Sequence, residues 1–191
     1  MALTRISPER YFAEENAREE RAEYFDGEVV MMAGAATAHE RVLRGLASPL
    51  YRAFEAGTIC EPFAGGNIRV RAGRSYVYPD LVVACDPIVE PLPSRVLVNP
   101  ILVAEVLSPS TEAVDRGAKY LAYREIETLR EYLLVHVDAP IVEVFRRVEG
   151  GWLAVVVEGE DARLRLTSLG FDLDLGQVFR SRIQEGWTPD A

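Results

Sequence analysis

Apolar and polar positions alternate, cluster and break off along this chain in ways that predict most of its elements. Ser7-Pro8-Glu9-Arg10 offers a capping hydroxyl and a first-turn proline, which predicts a helix running to about Glu20 with an acidic, exposed side. Tyr24-Phe25-Asp26-Gly27-Glu28-Val29-Val30-Met31-Met32 reads as an Asp-Gly turn between two short strands. From Thr37 to about Ala56, Val42, Leu43, Leu46, Leu50 and Phe54 recur at helical spacing; Gly45 and Pro49 weaken the pattern, and Arg41, Arg44 and Arg52 fall largely outside the stripe. A hairpin follows, with strands over 67–71 and 76–84 joined at Ala72-Gly73-Arg74. After a proline-rich loop from Pro87 to Pro100, Ile101 to Leu107 is an almost unbroken apolar run, as in a strand covered on both faces. Ser108-Pro109-Ser110-Thr111 supplies caps for a helix over about 111–127. Strands over 131–137, 141–147 and 152–157 come next, and the tail over 164–179 is apolar without clear period. The sum is an α/β (α+β) protein with a mixed sheet, expected as a single domain over 1–191 with an N-terminal helix and hairpin (about 1–36) packed on the core.

Composition narrows the class. With 49% hydrophobic and 27% charged residues, the chain suits a folded soluble domain rather than a disordered one. No apolar run approaches the ~18 residues of a membrane span, and the N-terminus lacks a signal-peptide core. Cys60 and Cys85 lie 25 apart with no CxxC, so neither a disulfide framework nor a zinc knuckle is indicated, and the expected compartment is the cytoplasm. A net charge of −9 argues against a protein that coats nucleic acid nonspecifically. The charge is unevenly placed, however: residues 41–74 carry six arginines against Glu55 and Glu61, or +4. That segment is either a solvated helix face plus a polar hairpin or a phosphate-binding surface. Of 21 basic residues, 20 are arginine and one is lysine, Lys119. A compact ammonium at one position, where guanidinium is used everywhere else, suggests a task that arginine performs poorly.

Two acids interrupt runs that should be core: Asp80 in Tyr76-Val77-Tyr78-Pro79-Asp80-Leu81-Val82-Val83-Ala84, and Glu105 in Ile101-Leu102-Val103-Ala104-Glu105-Val106-Leu107. A buried carboxylate costs several kcal/mol unless it is paired, binds a metal or takes up a proton. Pro79 denies its strand a ladder donor, which places Asp80 at an edge, a bulge or an opening in the sheet. Two such acids brought together suit a hard divalent ion, which binds through one or two carboxylates and serves phosphodiester hydrolysis. Lys119 follows Glu105 by 14 residues, at the border of a helix face formed by Val114, Ala118, Leu121 and Ala122. It either pairs with Asp115 one turn earlier, neutralises Glu105, or acts at the site.

Taken together, Pro79-Asp80, Glu105-Val106-Leu107-Ser108-Pro109-Ser110-Thr111, Asp115, Lys119-Tyr120 and Arg130-Glu131-Tyr132-Leu133-Leu134-Val135 strongly resemble the Uma2 family, read as restriction-endonuclease-like proteins. The segment from Tyr24 to Met32 with His39 resembles that family's opening, and Ser168-Leu169-Gly170-Phe171 with Val178-Phe179 its tail, so the resemblance covers nearly the whole chain. It implies the PD-(D/E)xK core, a central mixed sheet flanked by helices, and a Mg2+- or Mn2+-dependent endonuclease acting on phosphodiester bonds in DNA; a nuclease acting on RNA or a branched substrate is a separate reading, since no element visibly reads base sequence. Asp80 and Glu105 would be catalytic metal ligands, with the Val106 carbonyl completing the protein's share. Lys119 would orient or deprotonate the attacking water and stabilise charge on the phosphate. In the superfamily the lysine usually lies two residues after the second acid; Leu107 stands there, and Lys119 on the next helix takes its place.

Three residues carry two readings each. Glu28 is an outer acid or third ligand, or a solvated strand charge. His39 contacts phosphate or the metal's shell, or caps its helix. Tyr123 supports the lysine, or packs. Arg41, Arg44, Arg69, Arg71 and Arg74 are the candidate phosphate track. Cutting both strands of a duplex calls for two sites, hence a homodimer; no membrane and no organic cofactor are expected. The competing reading is a catalytically inactive nucleic-acid-binding or assembly module that keeps the fold.

Overall fold

A computed structural model of the chain describes residues 5–32, 34, 36–54 and 58–180. Its centre is a six-stranded mixed sheet ordered β11-β10-β9-β8-β6-β3, made of Cys60–Ala64 (β3), Leu81–Cys85 (β6), Pro100–Leu107 (β8), Glu131–His136 (β9), Ile141–Val148 (β10) and Gly151–Glu158 (β11). β8 and β9 run parallel and the other neighbours antiparallel. A five-stranded sheet, β2-β1-β5-β4-β7, is built from Ala22–Phe25 (β1), Glu28–Met31 (β2), Arg69–Ala72 (β4), Ser75–Val77 (β5) and Val96–Leu97 (β7).

The unbroken apolar run over 101–107 follows from burial on both faces. Leu102, Ala104 and Val106 face a core closed by helix α2 (Thr37–Ala53), the hairpin of Arg163–Leu166 (β12) and Phe171–Asp174 (β13), and the short helix Leu175–Phe179. Val103 and Leu107 face a second core formed with β4, β5 and β7 and with a helix over 112–124. Glu105 shares this second face, so its carboxyl points into packed protein. Helix α1 (Pro8–Glu15), capped by Ser7 as its sequence predicts, lays Tyr11 and Phe12 on the outside of the five-stranded sheet against Tyr24. Gly45 is required by close packing in α2, since a Cβ there would collide with the Val178 carbonyl.

Several expectations change. The strand expected over 76–84 divides: β5 belongs to one sheet and β6 to the other, and Tyr78-Pro79-Asp80 carries the chain between them. Proline has no N–H for a ladder, so the break falls at Pro79. α1 stops at Glu15, whose buried carboxylate accepts hydrogen bonds from the Ala22 N–H and the Tyr78 hydroxyl. α2 is described to Phe54, its cap, and the predicted residues 55 and 56 lie outside the described residues, as do residues 1–4. β3, whose Cys-Glu-Pro-Phe-Ala has no alternation, owes its form to pairing with β6. That register sets Cys60 opposite Cys85, and the two form a disulfide, contrary to the reading from spacing. Sequence separation carries no information about which residues of two antiparallel strands face each other, and the cysteine pattern ceases to be a ground for a reducing compartment.

The helix over 112–124 is α-helical at Glu112–Val114 and Tyr120–Arg124, with a π-helical turn, Asp115–Lys119, between them. Its buried face is Asp115, Lys119, Ala122 and Tyr123, whereas Leu121 is 61% exposed. The apolar stripe read from the sequence is out of phase because the inward polar groups satisfy one another. Among the described residues, no helix is long and apolar enough to cross a membrane.

Candidate active site

The β6–β8 ladder ends at Leu81 opposite Ala104, and one step further the register brings Asp80 opposite Glu105. Here the ladder is replaced by side chains. The Asp80 backbone N–H donates to Glu105 Oε2 at 3.2 Å, and Asp80 Oδ2 accepts the Val106 N–H at 2.8 Å. The Asp80 carbonyl accepts the Gly65 N–H at 2.8 Å, which fixes the loop after β3 beside the site. His39, at the start of α2, places Nε2 2.9 Å from Asp80 Oδ2, while its Nδ1 is buried without a hydrogen-bond partner.

Glu105 Oε1 accepts from Lys119 Nζ at 3.1 Å and from the Tyr123 hydroxyl at 2.8 Å. The single ammonium has two further carboxylates: Glu23 Oε1 at 3.1 Å, from β1, and Asp115 Oδ1 at 3.3 Å, four residues back on its own helix. Glu23 also accepts the Tyr78 N–H at 2.9 Å, which ties the five-stranded sheet to the crossing that carries Asp80. Lys119 is thus buried against acids from three elements, and both structural pairings open in the sequence, with Asp115 and with Glu105, are made at once.

Burial pushes the Glu105 carboxyl well above the ordinary range, with Lys119 pulling the other way and Asp80, Asp115 and Glu23 adding to the rise. Glu23 and Asp115 are raised for the same reason. Burial alone would lower Lys119, but the three carboxylates outweigh it and hold the ammonium charged far past neutrality. His39 is raised: burial opposes its charge, and the hydrogen bond and charge of Asp80 prevail.

These groups line one cleft of about 380 Å3. Its acidic and basic lining is Glu23, His39, Glu40, Asp80, Glu105, Asp115 and Lys119, and Met31, Met32, Gly66 and Pro109 also line it. The lining sets five carboxylates against one ammonium, a formal excess of four negative charges before His39 is counted. Among the described residues, no group of three or more His, Cys, Asp or Glu side chains is arranged to cage a metal. Mg2+ and similar hard ions do not need such a cage, since one or two carboxylates, a carbonyl and waters suffice. Asp80 and Glu105 are hard oxygen donors in an anion-rich cleft and fit that mode. Val106 directs its N–H at Asp80, and a strand residue's C=O leaves by the same edge as its N–H, so its carbonyl belongs to this side of β8.

Asp80, Glu105, Val106, Lys119, His39 and Tyr123 therefore come together, and Glu28 does not. It lies exposed on β2 opposite Phe25, outside the cleft, and the N-terminal acid that enters is Glu23. The signal for Glu23 was faint, a single charge beside Ala22, Tyr24 and Phe25 in a short strand. The arginine track also separates. Arg69 is 7% exposed, lies under α1 with its guanidinium 5.1 Å from the Phe12 ring, and donates to Asn16 Oδ1. Arg71 pairs with Glu90 and Arg74 with Asp26, while Arg41 is half-buried and Arg44 exposed on α2. Charge summed along a sequence ignores which strand face each arginine takes. Nearer the cleft is Arg21, which donates to the carbonyls of Gly65 and Gly66 and stands 5.4 Å from the Tyr78 ring.

Comparison with known proteins adds to this geometry. Residues 8–176 match the family model Uma2, whose description is "Putative restriction endonuclease". The Synechocystis proteins slr1290 and sll1609, both called uncharacterized, are similar: 32% identical over 92% of this chain and 92% of the relative, and 31% over 87% and 96%. A crystal structure titled as a "putative nuclease belonging to DUF820" from Anabaena variabilis superposes with a TM-score of 0.72 at 18% identity, covering 89% of this chain and 97% of the other. The expected restriction-endonuclease-like core, a mixed sheet between helices, is the fold observed.

Proposed function

The chain belongs to the Uma2 family, and from that membership and the geometry of the cleft we propose that it is a Mg2+- or Mn2+-dependent endonuclease that hydrolyses phosphodiester bonds in DNA. The observation that carries this reading is the convergence of Asp80 and Glu105 at the end of one ladder, with the chain's only lysine 3.1 Å from Glu105. Asp80, Glu105 and the Val106 carbonyl would hold the metal. When bound, such an ion polarises the phosphate and lowers the pKa of an attacking water.

The other residues have roles of their own. Lys119, held charged by Glu105, Glu23 and Asp115, would contribute positive charge beside the attacking water and the phosphate rather than remove a proton. His39 fixes the Asp80 carboxylate from one side, and Tyr123 fixes Glu105 from the other. Arg21, beside Gly66 at the rim, is better placed for a phosphate than the arginines over 41–74. Cutting both strands of a duplex requires two such clefts, so the working unit is a homodimer.

One observation favours the second reading, an inactive module that keeps the fold: Glu105 is 2% exposed and already bonded to Lys119, Tyr123 and the Asp80 N–H. Supercoiled plasmid incubated with Mg2+ or Mn2+ separates the two. Nicking by the wild type that disappears with EDTA and in a Glu105→Ala, Lys119→Ala double variant supports the nuclease. Equal nicking by both proteins marks a contaminant and overturns it, and no nicking together with no divalent binding by calorimetry selects the module.

A further inference from the structure

We infer that β11 is a docking edge for a second copy of this chain, the two strands pairing antiparallel about a two-fold axis so that two six-stranded sheets become one. The inference stands whether or not the cleft cuts nucleic acid. β11 is the terminal strand of its sheet. Its inner edge pairs with β10 along all eight residues, from Ile141 opposite Glu158 to Val148 opposite Gly151. Among the described residues, no backbone hydrogen bond reaches its outer edge.

Solvent-facing edge strands ordinarily carry a charge, a proline, a bulge or a cover that prevents pairing. Gly151-Trp152-Leu153-Ala154-Val155-Val156-Val157, seven of the eight residues of β11, has no charge and no proline, and the strand's single charge, Glu158, stands at its very end. Leu153 is 51% exposed and Val156 60%, and the pleat puts them on opposite faces, so apolar cover is available on both sides of a joined sheet. The far end of the same sheet is built differently. β3 holds Glu61 and Pro62, and the Tyr51 hydroxyl accepts the Ala64 N–H at 3.0 Å. One end is open and the other blocked. Two open ends that meet close the assembly at two copies, with no free edge left to extend it into a fibre.

The occupant is argued from charge and self-complementarity. Two chains of net charge −9 repel one another except through an uncharged contact, which residues 151–157 of β11 provide, with Glu158 falling opposite Gly150 of the partner subunit in the register below. Pairing identical strands about a two-fold axis perpendicular to the sheet sets residues of equal parity opposite each other. Centred on Ala154, it places Leu153 against Val155 of the partner subunit, Trp152 against Val156 of the partner subunit, and Gly151 against Val157 of the partner subunit. No charge meets a charge in that register, and every ladder group on the open edge gains a partner.

Sedimentation equilibrium on the full chain over a wide concentration range tests this, beside a Leu153→Lys, Val156→Lys double variant whose fold is checked by circular dichroism. The expected result is the mass of two chains for the wild type and of one chain for the variant. A wild type that stays at one chain throughout, or a folded double variant that remains a dimer, overturns the inference. Should the variant not fold, amide exchange of the wild type decides: slower exchange over 151–158 at high than at low concentration supports the edge, and equal exchange refutes it.

Discussion

Replacing Lys119 by methionine keeps most of the stem and deletes the one charge that three buried carboxylates share. Glu105, Asp115 and Glu23 are 2%, 1% and 5% exposed, with oxygens 3.1, 3.3 and 3.1 Å from the ammonium. Breaking a buried ion pair by removing one partner costs about 3–5 kcal/mol, because the remaining charge is left without compensation. Here the acids have an escape, which is to take up protons. Burial raises all three above their ordinary values, with Lys119 the chief opposing influence. The folded state therefore binds more protons than the unfolded one over a window that opens at the ordinary carboxylate values and extends upward. Stability falls as pH rises through that window. Removing Lys119 lifts the folded values further and widens the window, so the variant's deficit grows with pH. Urea unfolding in EDTA should show Lys119→Met destabilised by about 3–5 kcal/mol near pH 8 and by clearly less near pH 5. A deficit equal at the two pH values, or below about 1 kcal/mol near pH 8, would refute a cluster organised by this ammonium.

Glu131 is the opposite case: although burial pushes its carboxyl up, hydrogen bonds from Ser168, Arg146 and Thr167 hold it below the ordinary range. Its stabilisation should be complete above the ordinary carboxylate value and lost as pH falls toward the depressed one, so Glu131→Ala should cost about 3 kcal/mol near neutrality and less near pH 3 by urea unfolding. Arg69→Glu places an unpaired acid under α1 and should lower thermal stability outright, whereas exposed Arg44→Glu should leave the melting temperature unchanged; an equal, small effect of both would contradict the burial of Arg69. Arg21→Glu should weaken DNA binding and flatten its salt dependence by about one counterion, read from binding isotherms at several salt concentrations, and an unaltered slope would place the DNA elsewhere.

What the sequence disclosed and what it withheld divide along a physical line. Glu105 was legible because a charge inside an otherwise apolar strand is costly, and Asp80 because Pro79 announces a break in its ladder. Lys119 stood out by composition alone. Glu23 was not legible: its strand is only four residues long, and its role depends on how the second sheet meets the crossing at Tyr78. The arginines over 41–74 misled because summed charge says nothing of faces, and Arg69 serves packing under α1. The β3 strand and the Cys60–Cys85 disulfide depend on register with β6, which no local pattern encodes. The helix over 112–124 was predicted in place but out of phase, since a hydrophobic stripe cannot reveal a face whose buried members include Asp115 and Lys119.

The account depends most on whether Asp80 and Glu105 hold a divalent ion. Crystals soaked in Mn2+ and measured at an anomalous-scattering wavelength test it directly. A single strong peak bonded to carboxylate oxygens of Asp80 and Glu105 and to the Val106 carbonyl, at roughly 2.0–2.3 Å, is the predicted result. No peak in the cleft at saturating Mn2+, or one that leaves either acid unbound, would contradict it.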